Sequence, residues 1–114
     1  MPIDSAIIQA VTASLYERSL KKIPDDTRAV LGRIGAAETN ATARRTFTLM
    51  LESADAASGG GQLICSDVGI PTYSIKIGTR VQFAGPVRQA ITDGFAQLAA
   101  NINPPILKMV THPL

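Results

Sequence analysis

Apolar residues recur at helical spacing through the first half of the chain. Over residues 4–22, Ile7, Val11 and Leu15 fall four apart, which predicts one apolar stripe along a helix. Pro24 interrupts, and Asp25 and Asp26 supply carboxylates suited to the next helix N-terminus. Residues 26–37 repeat the pattern with Val30, Leu31 and Ile34. Asn40 is an N-cap residue for a third helix that lines up Phe47, Met50, Leu51 and Ala54. Gly59, Gly60 and Gly61 end it.

The period then changes. Gln62-Leu63-Ile64 reads as a short buried strand. Thr72 to Ile77 alternates, with Tyr73, Ile75 and Ile77 on one side and Thr72, Ser74 and Lys76 on the other. Gly78-Thr79 reads as a turn, and Val81 and Phe83 continue the alternation. Pro86 opens a fourth helix whose inner stripe is Val87, Ile91, Phe95 and Leu98. Pro104-Pro105 breaks the chain, and Ile106 to Val110 suits one more strand. The expected fold class is α+β: N-terminal helices packed with a small sheet and a further amphipathic helix. It forms a single domain over 1–114, helical over 1–58 and strand-containing over 62–114. The alanine-rich first half equally suits packing on another subunit.

Composition narrows the function. Of the 114 residues 46% are hydrophobic, enough for a core, and only 18% are charged. Soluble domains average about 25% charged residues, so the shortage hints at surface covered by a partner. A net charge of +2 with scattered basic pairs, Lys21-Lys22 and Arg44-Arg45, is no nucleic-acid footprint. No apolar run approaches the roughly 18 residues of a membrane span. Met-Pro-Ile-Asp-Ser does not begin a secretory signal. A single cysteine excludes an internal disulfide. Together these point to a cytoplasmic, reducing setting.

The chemistry concentrates in Leu63-Ile64-Cys65-Ser66-Asp67-Val68-Gly69. In extended chain, residues two apart project from one side, so Cys65 and Asp67 can flank one small ligand. Gly69 leaves room for backbone to approach it. The plain alternative is a small buried thiol followed by an ordinary loop.

From Ile64 to Gly78 the chain reads Ile-Cys-Ser-Asp-Val-Gly-Ile-Pro-Thr-Tyr-Ser-Ile-Lys-Ile-Gly. This resembles the α part of the iron–sulfur-dependent class I fumarase and L-tartrate dehydratase hydro-lyases. That family carries Cys-Gln-Asp-Thr-Gly followed by an apolar-x-apolar-Lys/Glu-apolar-Gly strand. The closing Val110-Thr111-His112-Pro113-Leu114 resembles its Val-x-Asp/His-Pro-Leu segment, and the likeness spans most of residues 25–114. The resemblance implies a 4Fe-4S cluster held by three cysteines, with one iron open to substrate. Cys65 matches the first metal ligand. Asp67 matches the aspartate assigned to substrate contact and acid–base work, and Gly69 matches the motif's glycine. Ser66 stands at the substrate-contacting Gln position and Val68 at the Thr position, so the identity of the dicarboxylate does not carry over.

The family's other two cluster ligands fall beyond the point matched by Leu114, and further substrate-binding residues lie in its β part. The chain is therefore expected to be an incomplete α part. Its partners would be the remaining α-part and β-part of the hydro-lyase, in an oligomer, with no nucleic acid and no membrane. The other functional class is a non-catalytic interaction or regulatory subunit that keeps the fold without a cluster.

Three further features carry bland readings. The lone His112 suits a structural or interface role better than a nucleophile pair with Cys65, which lacks an orienting neighbour. Gly59–Gly61 lacks the Gly-Lys-Ser/Thr of a phosphate loop and reads as a flexible connection. Arg44 and Arg45 suit either a substrate carboxylate or a solvated helix face.

Overall fold

The computed structural model describes residues 1–65 and 70–106. Four helices are present among them: α1 (Ser5–Lys21), α2 (Asp25–Ala37), α3 (Ala41–Gly60) and α4 (Val87–Asn101). All four lie where the apolar spacing predicts helix. The expected small sheet is absent: the described residues are 64% helical and 2% strand. The fold class α+β is thus corrected to a helical one among the described residues.

The reason lies in the backbone. Alternation at 72–77 sorts side chains to two sides, but a strand also needs a partner ladder for its N–H and C=O groups. Among the described residues the pairing is one isolated parallel bridge, Ile3 with Phe83. There Ile3 N donates to Gln82 O at 2.8 Å, and Ala84 N donates to Ile3 O at 2.9 Å. Neither Gln62–Ile64 nor Thr72–Ile77 forms a strand. Of the expected strand from Ile106 to Val110, residues 107–110 lie outside the described residues. The turn after Gly78 does close, with Val81 N donating to Gly78 O at 3.0 Å.

The chain divides into two compact units, residues 1–18 with 67–114, and residues 19–66. In the first, α1 and α4 touch at backbone distance. A Cβ placed on Gly94 would lie 2.5 Å from Gln9 O and 2.9 Å from Gln9 Cα. Only glycine permits that approach. Ala90, Gly94 and Leu98, four apart on α4, are its buried residues, and Thr12 is buried on α1. The ring of Tyr16 meets Phe95 edge-on, with centroids 5.2 Å apart, and lies 6.4 Å from Tyr73. Tyr73 OH donates to Thr12 O at 3.4 Å. Burial pushes the phenols of Tyr16 and Tyr73 upward, and the neighbouring Tyr16 adds to the rise at Tyr73.

In the second unit α2 packs on α3. Asn40 caps α3 as predicted, its Oδ1 accepting from Thr42 N at 2.9 Å and Ala43 N at 3.0 Å. Gly59 and Gly60 belong to α3, and Gly61, at φ 66° and ψ 19°, ends it in the left-handed region. The triglycine is thus a helix terminus rather than a loose connection. Arg28 of α2 pairs through both guanidinium nitrogens with the Asp55 carboxylate of α3, one contact being 2.8 Å. The Phe47 Cβ would lie 3.0 Å from a Cβ placed on Gly35. Ala54 and Ala57 are the buried residues of α3.

Candidate functional site

The approach to Cys65 is built from two helix ends. At the C-terminus of α3, Gly61 N–H bonds to Ala57 O, and Gln62 N donates to the same carbonyl at 3.0 Å. The chain reverses there because the left-handed residue satisfies carbonyls that a helix end leaves orphaned. Two residues on, Ile64 N donates to Leu20 O at 2.9 Å. Leu20 lies in the last turn of α1, and its residue is buried. One orphan carbonyl of α1 therefore anchors the segment that delivers the cysteine. Leu63 and Ile64 are half-buried, and Cys65 is a free, exposed thiol. Within this chain Cys65 is therefore exposed rather than a buried small hydrophobe.

The remaining motif residues, Ser66, Asp67, Val68 and Gly69, lie outside the described residues, as does His112. Among the described residues no group of three His, Cys, Asp or Glu side chains is placed to hold a metal ion. Cys65 can thus supply a single thiolate to a cluster, and the described residues do not complete the set. An exposed thiol at the end of an anchored segment fits that one-ligand role.

The choice left open for Arg44 is decided by geometry. Its Nε and Nη2 donate to Glu38 O at 3.1 and 2.8 Å. Glu38 is the C-cap of α2, so Arg44 closes a helix end. The Leu20 carbonyl is a site component that spacing gave no sign of, since a backbone acceptor has no residue signature.

The family model for fumarate hydratase (Fumerase) matches residues 9–114. With so much of its length matched, the chain belongs to the fumarate hydratase family, in agreement with the resemblance carried by Ile64 to Gly78. Neither a curated protein nor a solved structure matches it. No helix of the described residues is long and apolar enough to cross a membrane.

Proposed function

We propose that this chain is a subunit or fragment of an iron–sulfur hydro-lyase that reversibly adds or removes water on a small dicarboxylate of the fumarate/malate or tartrate type. The observation that carries this reading is the exposed Cys65 thiol on its anchored segment, inside the stretch that matches the family. Cys65 is one ligand of a 4Fe-4S cluster whose other two ligands come from the remaining α-part, and the β-part supplies further substrate-binding residues in a cytoplasmic oligomer. When bound, the cluster supplies a Lewis-acidic iron for the departing hydroxyl.

The chain's own residues have narrower tasks. Cys65 ligates as the thiolate, so binding releases its proton. Asp67 meets the substrate and moves a proton in the acid–base work of the reaction. Ser66, shorter than the family's Gln, contacts substrate and leaves space for a bulkier group. The anchor at Ile64 limits the directions in which the thiol can point.

Anaerobic reconstitution with iron and sulfide, after co-expression with the partner parts, tests the reading. Broad visible absorbance should form and be lost in Cys65→Ser. An unchanged spectrum in that variant removes Cys65 from the ligand set. Asp67→Asn should keep the absorbance and lose most turnover.

Ser66 and Val68, standing where the motif has Gln and Thr, favour a second reading: a non-catalytic interaction or regulatory subunit without a cluster. Failure of the complete assembly to form any cluster absorbance supports that one.

A further inference from the structure

Helix α1 meets α4 through Gln9 and Thr12, and meets Phe95 through Tyr16. At about 100° per residue, these lie roughly 100–160° around the helix from Val11. The apolar stripe predicted by the sequence faces outward instead: Ile7 is 56% exposed, Val11 50% and Leu15 54%. With Ile75, Val87 and Ile91 opposite, the stripe walls an apolar groove of about 350 Å³. A second hollow of about 430 Å³ adjoins it, sharing Tyr73, Ile75, Val87 and Ile91 and adding Arg88 and Thr92. Hollows of this size accommodate small organic ligands.

The polar groups say which kind. Tyr73 OH donates to Thr12 O at 3.4 Å, and Thr92 Oγ1 donates to Arg88 O at 3.1 Å. The Arg88 guanidinium, by contrast, has no hydrogen bond or ion pair among the described residues. Arg88 is the second residue of α4, whose first turn holds no acidic residue and whose N-cap, Pro86, makes no side-chain bond. The leading N–H groups of α4 therefore add positive potential beside the guanidinium. Lys76, which lines the groove, has the same sign. Among the described residues no Asp or Glu lines either hollow. A planar fork of unused donors matches a carboxylate. The apolar groove next to it is a poor place for a second charge, which would lose its hydration there. The pair of hollows thus suits one carboxylate joined to an apolar tail, and does not suit a small dicarboxylate.

We propose that this groove binds a free medium-chain monocarboxylic acid. Arg88 holds the carboxylate, and the alkyl chain runs past Ile75 and Ile91 to the stripe of Ile7, Val11 and Leu15. The inference does not rest on the cluster reading.

An NMR titration of the chain with decanoate, kept below the concentration at which it forms micelles, tests the proposal. Decanoate should bind with a Kd below about 0.1 mM. Octanoate should bind about tenfold more weakly, because two fewer methylenes are buried. Arg88→Gln should raise the Kd of both acids at least about tenfold and keep their ratio, since it removes the head contact and leaves the tail groove intact. Its circular dichroism should be unchanged, because Arg88 is exposed and glutamine suits a helix as well as arginine does. Val11→Glu, at a half-exposed position, sets a carboxylate in the tail groove and should abolish binding. Decyltrimethylammonium, the same tail on a positive head, should not bind, and succinate should not displace decanoate. A wild-type chain that shows no saturable decanoate binding up to about 1 mM overturns the proposal. So does decanoate affinity that survives Arg88→Gln or Val11→Glu, saturable binding of decyltrimethylammonium, or displacement by succinate. A chain that binds phosphatidylglycerol vesicles but not free decanoate overturns it as well.

Discussion

The α1/α4 contact and the α2/α3 contact solve the same problem by opposite means. In the first, backbone meets backbone: Gly94 has no room for a methyl group beside Gln9. In the second, side chains span the gap, with Phe47 against Gly35 and Arg28 paired to Asp55. Close approach gains many small dispersion contacts but depends on one atom's absence. An exposed ion pair tolerates change and contributes little. The α1/α4 contact should therefore be the more sensitive to substitution.

Gly94→Ala should break that comparison most strongly. The added Cβ meets backbone, which cannot rotate away, and overpacking of this kind costs about 1–3 kcal/mol, partly offset by alanine's helix propensity. Urea unfolding should show a lower midpoint with an unchanged slope; a midpoint at or above wild type would mean the two helices do not touch there. The mirror experiment is Gly32→Ala in α2, where a new Cβ meets nothing within 4 Å. That variant should gain about 0.5–1 kcal/mol from propensity alone. A loss at Gly32 would show that α2 is covered on that side.

The smallest effect sharpens the first unit's side. A phenol is neutral when protonated, and burial disfavours the phenolate at Tyr16 and Tyr73. Their folded pKa values are raised above the ordinary 10.0. Below the unfolded pKa both states hold the proton, and that contribution to stability is fully present. It is lost as pH rises from there through the folded values. Stability should thus decline above about pH 10, and Tyr73→Phe should flatten the decline in a pH series of unfolding midpoints. An identical slope in the variant would place Tyr73 in water.

The helices were legible because each announced itself locally. Asn40 preceded a run of apolar period, and Pro24 and Pro86 marked boundaries. The strand expectation at Thr72–Ile77 failed because alternation describes side chains, whereas a strand is defined by a partner's backbone. The stripe on α1 was read correctly as a stripe, but periodicity does not say which neighbour covers it. At the site, the family motif was readable around Cys65, whereas the exposure of the thiol and the Leu20 anchor were not. The anchor joins residues more than forty positions apart, a separation at which no spacing rule operates.

Local sequence specifies the four helices, the Asn40 cap and the family. Propensity, capping and motif are properties of adjacent residues, so a linear reading captures them. The tertiary structure decided that α1 meets α4 through Gln9 and Thr12, that its apolar stripe faces outward, and that Arg44 closes a helix end. It also decided that Ile64 hangs on the carbonyl of Leu20 and leaves Cys65 exposed. These depend on which surfaces meet, and that is set by the packing of distant segments competing for the same partners.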